Sequence, residues 1–247
     1  MRNPEPRIES PRAVFFDMDD TLLDGHTAMT IAWETVCHDA SSRLGCDPEK
    51  LRLAIRREAS SFWKDESVVG HWRLDLNGAR EIVVGRALAA EGFDTSLAHT
   101  IAFDYARLHR EHLRPFDDAF STLDAVREAG LRAGLITNGP RPLQRDKIER
   151  FGIERYMDVI VIEGEFGAGK PEQAVFAHAL RSVNAEPAQA WHIGDNLYAD
   201  VGGAVAAGLH AAWIHRDRLS LDENAGVKPD RIVSSLTEFR AVLGISA

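Results

Sequence analysis

One short stretch constrains the fold more than any other, because an apolar run ends abruptly in acids. Residues 14–16 are Val-Phe-Phe, Asp17 follows them directly, and Asp19 comes two positions later. Such a run is typical of a buried strand in a parallel sheet. In open α/β sheets ligands bind beyond the carboxyl ends of the strands. The stretch therefore predicts that both carboxylates lie at the edge of a sheet where a site can form.

The rest of the chain has two different patterns. Residues 25–113 show no strand-like alternation and are predicted to be mainly helical, whereas from residue 114 helices and strands alternate, which indicates a parallel sheet. Further strands are predicted at 132–136, 159–162, 190–193, 211–214 and 231–233. We predict an α/β fold in which residues 12–24 and 114–247 form a doubly wound parallel sheet, and residues 25–113 form a helical insertion.

Side chains that could take part in a reaction or bind a ligand recur at one kind of position in this sheet. Asp17, Thr137, Lys170 and Asp195 each lie at or beyond the carboxyl end of a different predicted strand, and these ends share one edge. The Asp17 carboxylate could attack phosphorus and form an acyl phosphate. Asp19 could protonate the departing oxygen and then take a proton from the attacking water.

The remaining groups at that edge suit a phosphate and a cation. Thr137 and Asn138 could hold a phosphate oxygen, and Lys170 could place positive charge against the transferring group. Clustered carboxylates repel one another, and a divalent cation would relieve this. Asp195 could complete such a site with Asp17, and Mg²⁺ is the natural candidate because it prefers hard oxygen ligands. Asp200 is predicted either to join the site or to cap a helix.

Four segments together resemble the signatures of the haloacid dehalogenase superfamily of phosphohydrolases. The segment 17–21 (Asp-Met-Asp-Asp-Thr) is similar to the first signature, with Asp17 in the nucleophile position and Asp19 in the acid/base position. Thr137 in Leu-Ile-Thr-Asn-Gly is similar to the second, and Lys170 in Gly-Lys-Pro to the third. Gly-Asp at 194–195, with Asp200 following, is similar to the fourth.

This resemblance implies a Rossmann-like core, catalysis by Asp17, Asp19, Thr137 and Lys170, and Mg²⁺ bound by Asp17, Asp195 and the backbone carbonyl of Asp19. It also identifies residues 25–113 as a helical cap domain that selects substrate. Relatives that displace halide usually lack a carboxylate at the position of Asp19. The resemblance therefore favours a phosphatase, with a phosphoryl-transferring mutase or a dehalogenase of the same superfamily as alternatives.

The substrate is less well defined by the sequence. The segment 137–148, with Gln144 and Lys147, is similar to a branch of nucleotide and sugar-acid phosphatases. We therefore expect a small organic phosphate monoester, either a nucleoside monophosphate or a sugar or sugar-acid phosphate. In the predicted cap, Trp63, Trp72 and Arg80 could face this substrate, with Arg80 as the binding residue. Alternatively, the tryptophans are core residues and the arginines are solvated.

Composition excludes some partners and leaves others open. The formal net charge of −9 argues against a nucleic-acid surface. The two cysteines have no metal-ligand or redox spacing, and no apolar run is long enough to span a bilayer or to resemble a signal peptide, so we expect a cytoplasmic location. The sequence does not distinguish a monomer from a homodimer.

Two other functions remain to be tested against the structure. Residues 164–170 (Gly-Glu-Phe-Gly-Ala-Gly-Lys) partly match a phosphate-binding P-loop, but Pro171 stands where Ser or Thr would bind Mg²⁺. A member of another functional class would be a catalytically silent binding protein that keeps the fold. We expect turnover of a phosphate ester to exclude it.

Overall fold

The computed structural model of the protein describes residues 11–65, 72–216 and 226–245. It contains a six-stranded parallel sheet with the order β3-β2-β1-β4-β5-β6. The strands are β1 (Ala13–Phe16), β2 (Arg132–Thr137), β3 (Val159–Ile162), β4 (Ala190–Gly194), β5 (His210–Ile214) and β6 (Arg231–Val233). Because β1 lies between β2 and β4, Asp17 leaves the middle of the sheet. The predicted α/β, Rossmann-like fold is confirmed.

The chain divides into two compact units. The sheet unit comprises residues up to Leu23 and from Pro115 onward, and the helical unit comprises Asp24–Arg114. In the helical unit the helices are α1 (Gly25–Leu44), α2 (Pro48–Phe62), α3 (Leu76–Ala90) and α4 (Ala98–His112). Asp47 caps α2 through the backbone N–H groups of Glu49 and Lys50, as its position before a proline predicts.

The helices of the sheet unit alternate with its strands. They are α5 (Ala119–Glu128), α6 (Arg141–Phe151), the single turn α7 (Glu163–Phe166), α8 (Gln173–Ser182), the short α9 (Gly203–Ala206) and α10 (Leu236–Leu243). The pattern of residues 199–207, followed by Gly208, predicts one helix, and here the structure differs from the prediction. A wider π-helical turn occupies Leu197–Gly202, and only the last four residues before Ala207 are α-helical.

Tight packing in the sheet depends on a glycine. A Cβ on Gly134 in β2 would lie 2.6 Å from Cδ1 of Phe15 and 2.7 Å from Cγ1 of Val159. Phe15, which is fully buried, thus fills the space that a side chain at 134 would need. The absence of a side chain at residue 134 therefore allows β1, β2 and β3 to pack closely.

Among the described residues, no helix is sufficiently long and apolar to cross a membrane.

Candidate active site

A buried ion-pair network begins where β1 ends. Nζ of Lys170 lies 2.6 Å from Oδ1 of Asp17 and 2.6 Å from Oδ1 of Asp200. All three residues are at least nine-tenths buried. An ammonium group has three N–H donors, and the described residues provide acceptors for two of those of Lys170. The third donor is therefore available to a phosphate oxygen.

The protonation states follow from burial and from the contacts within this network. Burial raises the pKa of Asp17 to about 7, against the opposing effect of Lys170. Burial alone would lower the pKa of Lys170, but Asp17 and Asp200 outweigh it and hold that pKa above its ordinary value. Burial would likewise raise the pKa of Asp200, yet Lys170 and His192 keep it well below the ordinary range. Lys170 is therefore a firmly charged ammonium.

A third carboxylate, that of Asp195, lies beside those of Asp17 and Asp200. Single carboxylate oxygens of Asp17, Asp195 and Asp200 lie within 4.8 Å of one another. Asp195 is exposed at the surface, but the protein around it desolvates the carboxylate and Asp17 and Asp200 repel its charge, so that its pKa rises to about 8. No described side chain pairs with Asp195. Three carboxylates thus face one ammonium, an oxygen donor set that fits Mg²⁺.

Asp200 is held by donors on every side. His192 Nε2 donates to its Oδ1 at 2.9 Å, and the backbone N–H of Asn196 donates to its Oδ2 at 3.0 Å. The helix cap that we considered for Asp200 is formed instead by Asn196, whose side chain accepts from the N–H groups of Tyr198 and Ala199. Asp200 therefore does not cap this helix. It lies at the site, where it contacts Lys170.

A histidine inside a predicted strand, as His192 is, is ordinarily a core residue with its hydrogen bonds satisfied, but the structure makes His192 part of this network. Burial lowers the pKa of His192, so the ring is neutral and carries its proton on Nε2 towards Asp200. Its Nδ1 is buried without a hydrogen-bond partner among the described residues. The acid eight positions later could have been noticed in the sequence, but the contact depends on the wide turn at 197–202.

Hydrogen bonds between the Asn138 side chain and the backbone of Lys170 fix the position of Lys170. Asn138 Nδ2 donates to the Lys170 carbonyl at 2.8 Å, and the Lys170 N–H donates to Asn138 Oδ1 at 2.7 Å. The Asn138 side chain is therefore committed to Lys170, which leaves its backbone for the predicted substrate contact. The P-loop reading does not fit, since the next helix begins only at Gln173 and the Lys170 ammonium is bound by two carboxylates.

A second network surrounds Asp19. Lys147 Nζ lies 2.7 and 2.8 Å from the two carboxylate oxygens of Asp19, and it also donates to Gln144 Oε1 at 2.8 Å. Gln144 Nε2 contacts Asp19 Oδ2 at 3.0 Å, Thr137 Oγ1 at 2.6 Å and the Asn138 carbonyl at 2.8 Å. Sequence reasoning used Gln144 and Lys147 only to rank substrates. Their spacing of three on one helix was the signal of a shared face.

Arg80 belongs to the helical unit, in α3. Its guanidinium stands 4.6 Å from the ring centroid of Tyr105, which stacks on Trp33, and it donates to Asn77 Oδ1. No described carboxylate pairs with it, and burial lowers its pKa. Trp72 packs against the core of this unit, as one alternative predicted, whereas the side chain of Trp63 is 38% exposed.

Comparison with known proteins places this arrangement in a family. Residues 11–208 match a hydrolase family described as haloacid dehalogenase-like hydrolase. The chain belongs to the haloacid dehalogenase-like hydrolases. The resemblance predicted from the four segments is thereby confirmed, and the matched range contains all four of them.

Characterised relatives of this haloacid dehalogenase-like hydrolase cover nearly its whole length. It is 30% identical to a phosphoserine phosphatase of Thermus thermophilus, over 92% of this chain and 97% of that protein. It is 29% identical to the N-acylneuraminate-9-phosphatase of Mus musculus, over 94% of this chain and 93% of that protein.

Solved structures of the family share its fold. The haloacid dehalogenase-like hydrolase YfnB of Bacillus subtilis, solved bound to magnesium, matches with a TM-score of 0.76 and 20% identity, over 96% of this chain and 100% of that one. A 2-haloacid dehalogenase of Pseudomonas syringae matches with a TM-score of 0.62 and 26% identity, over 95% and 98%. The fold therefore serves both phosphatases and dehalogenases, and the site residues must distinguish them.

Proposed function

We propose that this protein is a Mg²⁺-dependent phosphatase that hydrolyses a small organic phosphate monoester through an aspartyl-phosphate on Asp17. The observation that carries the proposal is the contact of Lys170 with both Asp17 and Asp200 at the carboxyl edge of the sheet, 2.6 Å in each case. The names of the relatives support phosphatase chemistry. They also make a phosphorylated amino acid or sugar acid the first substrates to test, beside the nucleoside monophosphate that the sequence predicts.

In the first step an oxygen of Asp17 attacks phosphorus, and the bond from phosphorus to the ester oxygen breaks. Lys170 orients the attacking carboxylate through Oδ1, and its remaining N–H can donate to a phosphoryl oxygen. The Thr137 oxygen accepts from Gln144, and no described residue accepts from the Thr137 hydroxyl, so this hydroxyl can donate to a second phosphoryl oxygen. Asp19, protonated before this step, gives its proton to the departing alkoxide and is left as the carboxylate that Lys147 contacts.

In the second step a water oxygen attacks the phosphorus of the aspartyl-phosphate. The bond between phosphorus and Asp17 breaks, which restores the carboxylate, and the water proton passes to Asp19. Inorganic phosphate is the product, and both aspartates return to their starting states. Asp19 thus acts as acid and then as base within one turnover.

Asp17, Asp195 and the backbone carbonyl of Asp19 are the residues that we expect to hold the metal. When bound, Mg²⁺ would neutralise excess negative charge and polarise the phosphoryl group. The repulsion that raises the pKa of Asp195 supports a cation at this position. The residues 12–24 with 114–247 would then form the catalytic core, and 25–113 the cap domain. The two free cysteines suit a reducing cytoplasm.

The decisive experiment compares wild type with Asp17→Asn on a chromogenic phosphate ester with Mg²⁺. We expect turnover by wild type and none above background by the variant, because an amide cannot attack phosphorus. Beryllium fluoride, which mimics an acyl phosphate, should bind wild type and not the variant. Turnover that survives Asp17→Asn would contradict the proposal.

Two alternatives have distinct outcomes. Release of halide from a 2-haloacid without phosphatase activity would identify a dehalogenase, for which the carboxylate of Asp19 has no evident use. No turnover across about a hundred metabolite phosphates would favour the silent binding protein. Transfer of phosphate to a second sugar position, rather than to water, would identify a mutase.

A further inference from the structure

We propose that Lys147 and Gln144 are positioning residues. They hold Asp19, the proposed acid/base, in a fixed orientation relative to Thr137, the proposed phosphate-binding residue. The inference rests on the proposed function, since it assigns the means by which Asp19 is oriented in that reaction. Neither residue contacts the nucleophile or the predicted metal ligand Asp195 among the described residues. Their action on the reaction would therefore pass through Asp19 and Thr137.

Contacts with Asp19 and Gln144 use all three N–H donors of the Lys147 ammonium. Its three contacts, two with Asp19 and one with Gln144, match the three N–H donors of an ammonium group. The side chain of Lys147 is only 17% exposed, and that of Asp19 is 37% exposed. Contact of one ammonium with both oxygens fixes the direction of the carboxylate plane.

Gln144 joins that carboxylate to the phosphate-binding strand end. It is 2% exposed, and its amide N–H groups are shared among Asp19, Thr137 and the Asn138 carbonyl. The acceptors come from the loop after β1 and the end of β2, so one buried amide ties together two elements far apart in sequence. Asn138 in turn holds the backbone of Lys170. The acid/base group and the phosphate donors are thereby parts of one hydrogen-bonded unit.

The consequence for catalysis is specific. A misplaced acid impairs proton delivery to a poor leaving group, but a good leaving group departs without a proton. Phosphoryl transfer to Asp17 is measured by kcat/KM. Removal of Lys147 should therefore lower kcat/KM for an alkyl phosphate and leave kcat/KM for 2,4-dinitrophenyl phosphate almost unchanged. A general loss of structure would lower kcat/KM for both substrates.

The experiment measures kcat/KM with Mg²⁺ for one alkyl phosphate taken from the substrate panel and for 2,4-dinitrophenyl phosphate. We expect Lys147→Met to lower kcat/KM by about 10- to 100-fold on the alkyl ester, because a misplacement of about an ångström can cost up to about 100-fold, and by less than about threefold on the aryl ester. Lys147→Arg, which keeps the charge and the donors, should recover part of the loss.

The matched control is Arg145→Met on the same helix. Arg145 is partly exposed and pairs with Glu165, outside the site, so this variant should behave as wild type on both esters. In an Asp19→Asn background, Lys147→Met should have no further effect on the alkyl ester, because coupled residues are not additive. Thermal unfolding of each variant checks that the fold is kept.

The outcomes separate the inference from the proposed function. A wild type that hydrolyses no phosphate ester contradicts both. An active wild type for which Lys147→Met loses equally on both esters, loses nothing on either, or still loses in the Asp19→Asn background overturns the positioning role alone. If Lys147→Met fails to fold, Gln144→Met, which removes the amide donors and nearly keeps the side-chain volume, provides the same comparison.

Discussion

At the scale of single residues, the site depends on charges that are stable only in one another's presence. Asp200 is almost fully buried, and its neighbours Lys170, His192 and the N–H of Asn196 are all donors. An isolated carboxylate in such surroundings would lose its charge. The donors keep Asp200 ionised, and Asp200 in turn keeps Lys170 in place beside Asp17.

Asp200→Asn should therefore cost both activity and stability. An amide must turn its NH₂ towards a donor, and Lys170 loses one of its two anionic partners. Removing one partner of a buried ion pair typically costs about 3–5 kcal/mol, which we expect in urea unfolding together with a lower kcat. Glu49→Gln, which removes an exposed ion pair with Arg52, is the control and should change neither. Equal losses in the two variants would contradict a special role for the buried pair.

At the scale of elements, β4 must end in a residue without a side chain. A Cβ on Gly194 would overlap the carboxyl group of Asp200. The π-helical turn at Leu197–Gly202 is what brings Asp200 back against the end of this strand. Strand end and wide turn therefore form one unit, in which Gly194 makes room for the carboxylate that anchors Lys170.

We expect Gly194→Ala to abolish most phosphatase activity, because Asp200 must move and Lys170 with it. Gly134→Ala is the matched comparison, since its Cβ would meet Phe15 and Val159 within the sheet instead. Overpacking of this kind costs about 1–3 kcal/mol, and should lower the melting temperature while the remaining folded enzyme keeps its kcat. Steady-state kinetics and thermal unfolding of both variants measure the difference, and full activity of Gly194→Ala would contradict the argument.

At the scale of the whole molecule, stability should depend on pH and Mg²⁺ together. Asp17 and Asp195 have folded-state pKa values of about 7 and about 8, against an ordinary value of 3.8. Between pH 4 and 8 the folded state thus binds more protons than the unfolded state. In that window their contribution to the free energy of unfolding falls as pH rises.

Mg²⁺ competes with these protons, so it should raise the melting temperature more at pH 8.5 than at pH 5. Asp195→Asn should melt higher than wild type at pH 8.5 without metal, since it removes a repelled carboxylate, and should lose most of the response to Mg²⁺. Differential scanning fluorimetry with Mg²⁺ or with EDTA measures both effects. An identical Mg²⁺ response at the two pH values would contradict the proposed cation site.

Substrate choice also belongs to this scale, because the residues proposed to form the cap include the cationic side chain of Arg80. Arg80 is stacked on Tyr105 without a carboxylate partner among the described residues. We expect Arg80→Met to raise KM for the best anionic metabolite phosphate by about tenfold or more, since a hydrogen bond to a charged group contributes about 1.5–3 kcal/mol. KM for 4-nitrophenyl phosphate should stay unchanged. Arg86→Met, at an exposed position on the same helix, is the control. An unchanged KM for the metabolite would exclude Arg80 from substrate binding.

The sequence by itself determined the family, the parallel sheet and the positions from which the reactive groups emerge. Apolar runs and helix caps are local signals, so β1, β3 and β6 begin and end within a residue of the prediction. Asp17, Thr137 and Asp195 could be chosen because each stands next to the end of such a run. Residues that touch only distant partners carry no comparable local signal.

Only the tertiary structure decided which groups meet. Lys170 is 153 positions from Asp17, and Lys147 is 128 positions from Asp19, so these contacts depend on strand order and helix placement. The same reason explains why His192 and Gln144 were not assigned to the site: each is an ordinary residue of its own strand or helix. Its role arises where the folded chain places an aspartate within hydrogen-bond distance.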